Sequence, residues 1–163
     1  MIAIIGVDPG LARTGWGIIN KEGNALKYLA SGVIATDAAE RIELRLVHIF
    51  KELSALLIKY QPESAALEET FVNANSQSSL KLAHARGAIM VALAQNNLAV
   101  SQYAPNLVKK SVVGFGRAEK DQMIHMVNLL LPASNVKLAD EADALAVAIC
   151  HSGHLAFTGQ GIR

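Results

Sequence analysis

The first β-hairpin of this 163-residue chain is predicted within the stretch Ile4-Ile5-Gly6-Val7-Asp8-Pro9-Gly10-Leu11-Ala12-Arg13-Thr14-Gly15-Trp16-Gly17-Ile18-Ile19. An apolar run reaches a lone carboxylate at Asp8, turns at Pro9-Gly10 and resumes from Thr14. Because proline fixes φ and glycine tolerates positive φ, this pattern predicts a strand that ends at Asp8, just before a tight turn. A carboxylate at such a strand end can bind a metal ion, orient a phosphate or cap the turn.

The hydrophobic periodicity of the whole chain predicts an α/β protein with a mixed sheet. Strands are expected at residues 2–8, 14–20 and 26–36, and their short loops make them antiparallel neighbours. Gly32 is expected to mark a β-bulge in the third strand. Two crossover strands are expected at residues 64–69 and 98–103, and helices at residues 39–60, 77–96, 105–113, 119–131 and 139–155. The prediction is therefore a mixed five-stranded sheet, three antiparallel strands and then crossover strands, flanked by helices.

Composition favours one compact domain. The chain is 52% hydrophobic and 18% charged, which is typical of a folded α/β domain and argues against a disordered chain. We predict a single domain over residues 1–155 and a disordered tail over residues 156–163. The single cysteine, Cys150, excludes an internal disulfide, and the apolar runs are too short for a signal peptide or a membrane span. These features predict a cytoplasmic protein.

Charge is distributed unevenly along a chain whose net charge is only +1. Between residues 81 and 120 the sequence has six basic side chains and one acidic one, a local charge of +5. The remainder has nine basic and thirteen acidic side chains, a charge of −4. This asymmetry is consistent with a basic face and a separate acidic site, although an ordinary solvated surface gives the same pattern.

Two acids of the last predicted helix can face a common point. Because successive helical residues are about 100° apart, Asp140 and Asp143 fall on one flank of the helix. Glu141 falls across the helix from them. Acids near a helix start also complement the helix dipole, so this pattern alone does not establish a site.

Further acids end two of the predicted apolar strands. Asp8 ends the first strand and the pair Glu68-Glu69 ends the fourth, and period-two alternation alone does not choose between the two glutamates. If these acids meet those of the last helix, they repel one another unless a cation joins them. Their hard oxygen ligands favour Mg²⁺ or Mn²⁺, whereas the five histidines show no metal-ligand spacing.

The helix predicted at residues 77–96 is rich in small residues around Gly87. Glycine inside a helix costs about 1 kcal/mol relative to alanine, so Gly87 indicates a close backbone approach. Packing against the chain's own sheet and packing against a second subunit both explain it.

A series of motifs carries a resemblance to a known family. The motifs are Gly6-Val7-Asp8-Pro9-Gly10 with Thr14-Gly15-Trp16-Gly17, Leu67-Glu68-Glu69-Thr70-Phe71, Leu80-Lys81-Leu82 with Ala85-Arg86-Gly87, Val108-Lys109 with Val112-Val113-Gly114, Ala118-Glu119-Lys120, and Ala139-Asp140-Glu141-Ala142-Asp143-Ala144-Leu145-Ala146. In this order and spacing they resemble RuvC-type Holliday-junction resolvases. The resemblance extends from Ile2 to about His151.

The resemblance implies an RNase H-like fold and a crossover junction endodeoxyribonuclease of DNA recombination and repair. It implies a homodimer, four-way junction DNA as substrate, a branch-migration helicase complex as partner, and two Mg²⁺ ions per active site, with Mn²⁺ as a substitute. The expected reaction is attack by a metal-activated water in paired symmetric cuts, which leaves 5′-phosphate and 3′-hydroxyl ends.

The resemblance also implies roles for individual residues. By motif position, the catalytic and metal-binding acids are Asp8, Glu68, Asp140 and Asp143. Lys109 and Lys120 match positions near the cleaved strand, as catalytic and DNA-binding residues. Phe71 matches an aromatic that contacts bases at the junction centre. From their charge, the further DNA-binding candidates are Lys81, Arg86, Lys110 and Arg117.

Three alternatives remain at this point. An RNase H-like nuclease of another specificity, acting on RNA–DNA hybrids or other branched DNA, has the same acids. The turn at Asp8-Pro9-Gly10 is also similar to the first phosphate loop of actin-like ATPases, but a second glycine-rich loop is missing from the sequence. A catalytically inactive junction-binding module does not require four acids at these positions.

Overall fold

A computed structural model of the protein describes residues 1–69 and 76–155. It contains a five-stranded sheet of order β3-β2-β1-β4-β5. The strands are β1 (Ile2–Asp8), β2 (Arg13–Glu22), β3 (Ala25–Ala35), β4 (Ser64–Glu68) and β5 (Val100–Tyr103), and the helices are α1 (Ile42–Tyr60), α2 (Ser76–Gln95), α3 (Pro105–Val113), α4 (Lys120–Leu130) and α5 (Ala139–Leu155). The first three strands are antiparallel, and β4 and β5 run parallel to β1. The predicted mixed sheet is therefore confirmed, whereas the predicted tail over 156–163 lies outside the described residues.

Each face of the sheet is covered by a separate group of helices. Alternate residues of β1 point to opposite faces, so that Ile5 and Val7 pack with α1 and α2, whereas Ile4 packs with α3, α4 and α5. β4 follows the same alternation, because Leu67 belongs to the first core and Ala66 to the second. The fold is thus a three-layer arrangement with an apolar core on each side of the sheet.

Helix α5 lies unusually close to the sheet, and two sheet glycines make this possible. A methyl group added at Gly6 would overlap the backbone of Ala144 and Ala148, and one added at Gly15 would overlap the carbonyl of Asp140. Because backbone atoms cannot yield as a flexible side chain can, both positions require glycine. These contacts fix the height and register of α5 over β1 and β2.

The predicted bulge at Gly32 is wrong. The register between β2 and β3 shifts between Ile18 and Ile19, which leaves Leu29 as the extra residue of β3. Gly32 instead makes room for an aromatic ring, since a Cβ at this position would lie 2.8 Å from Cζ2 of Trp16. The glycine is therefore explained by a cross-strand side chain.

Gly87 does not pack against the sheet of its own chain. It lies on an exposed face of α2, where an added Cβ would meet no atom of residues 1–69 and 76–155 within 4 Å, the neighbouring helix backbone aside. The explanation of Gly87 by packing on its own sheet is therefore wrong.

α2 is long and partly apolar, but neither α2 nor another helix of the described ranges meets the length and apolarity needed to cross a membrane.

Candidate active site

Asp8 and Glu68 lie side by side at the ends of two adjacent parallel strands. β1 and β4 are in register up to Val7 and Leu67, so the next residues in each strand are the two acids. Side chains alternate between faces, which places both acids on the face that α5 covers. Parallel strands thus deliver two carboxylates from distant parts of the sequence to one edge of the sheet.

The sheet register also separates Glu68 from Glu69. Glu68 is the last residue of β4 and pairs with Tyr103 of β5. Glu69 follows the strand, and its backbone N–H donates to the carbonyl of Tyr103 at 2.8 Å. Glu68 shares the α5-facing side with Ala66, and adjacent strand residues point to opposite faces. Alternation distinguishes the two glutamates once the face occupied by α5 is known.

The start of α5 brings Asp140 and Asp143 to the same edge. The charge of each of these aspartates acts on Asp8, and the charge of Asp143 also acts on Glu68. Glu141 points elsewhere and accepts a hydrogen bond from the hydroxyl of Ser31 at 3.3 Å. The structure therefore brings together Asp8, Glu68, Asp140 and Asp143, which we call the acidic site.

Burial and mutual repulsion disfavour the charged forms of these acids. The pKa of Asp8 is raised from 3.8 to about 8, first by burial and then by the charges of Glu68, Asp143 and Asp140. The pKa of Glu68 is raised from 4.5 to about 7, first by burial and then by Asp143. Burial, followed by the charge of Asp140, also raises the pKa of Asp143. Such shifts are typical of functional sites, because a stable core does not require clustered like charges.

Two lysines face the acidic site from separate helices. The charge of Lys109, on α3, lowers the pKa of both Glu68 and Asp143, against the effect of burial. Lys120, at the start of α4, has the same effect on Asp143. The predicted positions of Lys109 and Lys120 beside the acids are thus consistent with the geometry, while their catalytic roles stay predictions.

Sequence reasoning missed Arg13, which forms an ion pair with Asp140. Nε of Arg13 donates to Oδ2 of Asp140 at 2.7 Å, and the two side chains are 48% and 34% exposed. Within residues 1–69 and 76–155, no three His, Cys, Asp or Glu side chains are yet arranged to hold one metal ion. The ion pair directs the carboxylate of Asp140 towards Arg13, and the other three acids are not involved in it. Only the position of Arg13 just after the Asp8 turn could have suggested this contact from the sequence.

The other predicted DNA contacts have different surroundings. Arg86 ties α2 to the sheet, because its guanidinium donates to the carbonyl of Glu68 at 2.7 Å and to the side chain of Gln102. Lys81, Lys110 and Arg117 are exposed. Phe71 lies outside the described residues. The DNA-binding roles of all these residues stay predictions.

A buried polar network supports the sheet behind the acidic site. The hydroxyl groups of Ser64 and Tyr103 lie 2.6 and 2.7 Å from the two ring nitrogens of His151. Burial is the main cause that lowers the pKa of His151 to about 4, so this ring is neutral at physiological pH. In a neutral ring one nitrogen donates and the other accepts, and the two hydroxyls satisfy both. His151 is therefore a structural residue, in agreement with the absence of metal-ligand spacing among the histidines.

The donor set of the acidic site fits a hard divalent cation. It consists of carboxylate oxygens, the ligands that Mg²⁺ and Mn²⁺ prefer in proteins. Burial, and after it the charges of the neighbouring acids, raise the pKa values of Asp8, Glu68 and Asp143. A divalent ion would offset this repulsion, provided that Asp140 turns away from Arg13.

The fold and this site together define a class of protein. A mixed sheet of order β3-β2-β1-β4-β5, with acids at the ends of β1 and β4 and at the start of α5, is the architecture of an RNase H-like nuclease. Comparison with known proteins then gives the family. The model of the family described as crossover junction endodeoxyribonuclease RuvC matches residues 4–151, and the chain belongs to this family.

Individual relatives agree with this assignment along nearly the whole chain. A crossover junction endodeoxyribonuclease RuvC of Sphingopyxis alaskensis is 51% identical over 151 residues, which cover 93% of this chain and 97% of that protein. The structure of Thermus thermophilus RuvC is 29% identical, with a TM-score of 0.85. The structure of T. thermophilus RuvC in complex with a Holliday junction substrate is 28% identical, with a TM-score of 0.89. Each of these two structures covers 96% of this chain and is itself covered to 96%.

Proposed function

We propose that this protein is a structure-selective endodeoxyribonuclease that resolves Holliday junctions by paired symmetric strand cuts. The convergence of Asp8, Glu68, Asp140 and Asp143 from β1, β4 and α5 is the observation that carries the proposal. It is supported by the close structural likeness to a relative solved with a Holliday junction substrate. Because recombining DNA is the proposed substrate, we also propose a cytoplasmic location.

The acidic site is proposed to hold Mg²⁺, in two positions per site, through the carboxylates of its four acids. When bound, such ions supply a water of lowered pKa and neutralise charge at the leaving oxygen. The chain's own contribution is to hold the acids at one edge of the sheet and to exclude bulk water from Asp8. The attacking oxygen forms a bond to phosphorus as the bond to the 3′-oxygen breaks, which leaves 5′-phosphate and 3′-hydroxyl ends.

Lys109 and Lys120 are proposed to act on the phosphate beside the acidic site. Their charges already reach Glu68 and Asp143, so a phosphate between lysines and acids would lie within their field. A fixed positive charge at this position stabilises the additional negative charge of the transition state.

We propose that the protein acts as a homodimer through the exposed face of α2. The residues of this face recur at spacings of three and four and are small or apolar, apart from one histidine: Leu80, His84, Gly87, Val91 and Ala94. Leu80 and Val91 are 58% and 59% exposed in the single chain. A two-fold dimer has two identical sites for the two opposed strands of a junction. A branch-migration helicase complex is a further proposed partner, on the basis of the family resemblance alone.

The substitution Asp8→Asn tests the proposed active site. It removes the charge at the centre of the acidic site but keeps the shape of the side chain, so we expect junction binding to persist while cleavage in Mg²⁺ falls by at least about a thousandfold. Glu69→Gln is the matched control, because Glu69 follows the strand and its substitution should leave cleavage unchanged. Normal cleavage by the Asp8 variant would contradict the assignment.

The choice of substrate tests the proposed specificity. A four-way junction, a linear duplex and an RNA–DNA hybrid of the same sequence are each incubated with the wild-type protein and Mg²⁺. We expect symmetric cuts in the junction and little cleavage of the other two. Equal or faster cleavage of the hybrid would instead identify an RNase H-like nuclease of another specificity.

A further inference from the structure

The loop between α3 and α4 is held in place at both ends. At its start, Gly114 has a left-handed backbone conformation with φ of 92°, and its N–H donates to the carbonyl of Lys110 at 2.9 Å. At its end, Glu119 and Gln122 form a reciprocal capping box, in which each side chain accepts from the other residue's backbone N–H. The residues between these two caps therefore have a defined position.

This loop joins the two helices that carry the lysines of the acidic site. Lys109 is five positions before Gly114, and Lys120 follows the loop directly. The charges of both lysines reach Asp143, and that of Lys109 also reaches Glu68. The loop therefore connects the two helices whose lysines act on the acids.

Phe115 projects from this loop and is 51% exposed. It forms one wall of a polar groove, which we call the Phe115 groove, with a volume of about 550 Å³ and the lining residues Asn106, Lys109, Phe115, Arg117, Glu119 and Gln122. Phe115 also borders an apolar depression with Val113, His125 and Met126. Phe115 thus borders both a polar groove with basic side chains and an apolar depression.

We propose that the Phe115 groove is a nucleotide-binding subsite for the cleaved strand. The base of a nucleotide next to the cleaved phosphate stacks on the ring of Phe115, and Arg117 binds the adjoining phosphate. This inference rests on the proposed nuclease function and adds a specific ligand to it, a nucleotide of the same strand. Aromatic stacking beside a cationic backbone contact is the usual way in which proteins hold an unpaired nucleotide.

The charge of the groove favours a nucleotide over a protein segment. Lys109 and Arg117 supply two positive charges, and the carboxylate of Glu119 already accepts a backbone hydrogen bond within the capping box. The amide of Asn106 can both donate to and accept from the edge of a base. The groove therefore combines an aromatic ring, a neutral hydrogen-bonding group and net positive charge.

The position of Lys109 favours the cleaved strand over another part of the DNA. Lys109 faces the acidic site and also lines the Phe115 groove. A phosphate at the acids and a nucleotide in the groove are therefore neighbours that share one lysine. Two successive nucleotides of one DNA strand can occupy these two positions without a sharp bend in the strand.

The experiment measures junction binding by variants of Phe115 in the cleavage-inactive Asp8→Asn protein. Phe115→Ala removes the ring and Phe115→Leu keeps apolar bulk without it, so both should weaken binding, by roughly five- to a hundredfold for alanine. Phe115→Trp keeps the stacking surface and should bind like the parent. Leu129→Ala is the matched control, since Leu129 is an exposed apolar residue of α4, 63% exposed, that is absent from the residues lining the groove.

A fluorescent base locates the contact. Junctions carry 2-aminopurine at single positions on either side of the cleavage point, and stacking on an aromatic ring quenches its emission. With the Asp8→Asn parent and with Phe115→Trp, we expect quenching at one or two positions next to the cut. With Phe115→Ala and Phe115→Leu, we expect this quenching to be lost. A uniform response along the strand, or quenching that persists with alanine, would overturn the subsite.

Two further outcomes distinguish the subsite from other roles of Phe115. If Phe115→Leu binds and quenches like the parent, apolar contact explains the residue and the stacking proposal is wrong. If Phe115→Ala binds DNA normally but changes its sedimentation, the residue is a protein contact and the proposal is also wrong. In both cases the wild-type protein would still cleave junctions. A wild-type protein that does not cleave junctions would instead refute the proposed nuclease function itself.

Discussion

Helices α2 and α5 are both rich in small residues, yet they use them in opposite ways. In α5, residues such as Ala144 and Ala148 are fully buried against sheet glycines of the same chain. In α2, Ala83 and Gly87 are exposed, and Gly87 has open space beside it in the described part of the chain. The difference teaches that small residues alone do not show what a helix packs against, whereas the glycines of β1 and β2 identify the surface that α5 contacts.

The largest effect is expected where α5 contacts the sheet. Gly15→Ala places a methyl group against the carbonyl of Asp140, so helix and strand must separate. We expect a loss of about 3 kcal/mol or more in the free energy of unfolding, measured by urea denaturation. Gly153→Ala is the control on α5, since an added methyl there meets no atom of residues 1–69 and 76–155 within 4 Å, the neighbouring helix backbone aside, and should stabilise the helix by up to about 1 kcal/mol. Equal stabilities of the two variants would refute the close-packing account of α5.

The next largest effect is expected at the exposed face of α2. Gly87→Arg adds a long charged side chain to the proposed dimer interface, and we expect at least roughly tenfold weaker dimerisation by equilibrium sedimentation. The folded monomer should persist, because an added side chain at Gly87 meets open space among residues 1–69 and 76–155. Gly153→Arg makes the same change at an open glycine of α5 and should leave the dimer intact. A wild-type protein that is monomeric at micromolar concentration would remove the contrast between the two helices.

A smaller effect concerns the pKa of Asp8, the carboxylate at the end of β1 on the face that α5 covers. A carboxylate with a raised pKa binds a proton in the folded state that the unfolded chain has released, so stability falls as pH rises from the ordinary pKa to the raised one. For Asp8 this range extends from 3.8 to about 8. Without metal, in EDTA, we expect the wild type to lose stability over this range, and Asp8→Asn to be more stable by about 1–2 kcal/mol near pH 8.

Addition of Mg²⁺ provides the control for this pH dependence. The cation binds the deprotonated acids, so it should restore the wild-type stability near pH 8 and have little effect on Asp8→Asn. Thermal unfolding with EDTA or Mg²⁺ at several pH values measures both effects. A wild type whose metal-free stability increases between pH 4 and 8 relative to the variant would contradict the raised pKa of Asp8.

The smallest effect concerns the ion pair at the start of α5. Arg13→Gln removes the partner of Asp140 and a positive charge beside the acidic site, so Mn²⁺ should bind roughly two- to fivefold more tightly in a titration followed by electron paramagnetic resonance. Arg41→Gln is the control, because Arg41 pairs with Glu43 at 3.2 Å on an exposed surface. Weaker Mn²⁺ binding by the Arg13 variant would show that the ion pair prepares the site instead of competing with the metal.

Local sequence patterns predicted the elements well, because their signals are local. Pro62 ends α1, Pro105 begins α3, and the helical spacing placed Asp140 and Asp143 together and Glu141 apart from them. The antiparallel pairing of the first three strands followed from the short loops of the hairpins. These inferences require only neighbours in the sequence.

The errors concern contacts between distant residues. The prediction of a bulge at Gly32 was wrong because the residue that requires this glycine, Trp16, lies on another strand. Arg13 was missed because Asp140 is on the last helix, and the alternation in β4 could not select Glu68 without knowledge of where α5 lies. The roles of Phe71 and of residues 156–163 stay predictions.

The late position of α5 in the chain has a consequence for synthesis of the protein. A chain made from its N-terminus carries Asp8 and Glu68 long before Asp140 and Asp143, and α5 is also the helix that covers both strands ending in these acids. An incomplete chain therefore lacks both half of the acids and the surface that buries the others. Since domains fold largely as units, the complete acidic site can form only after α5 has been made.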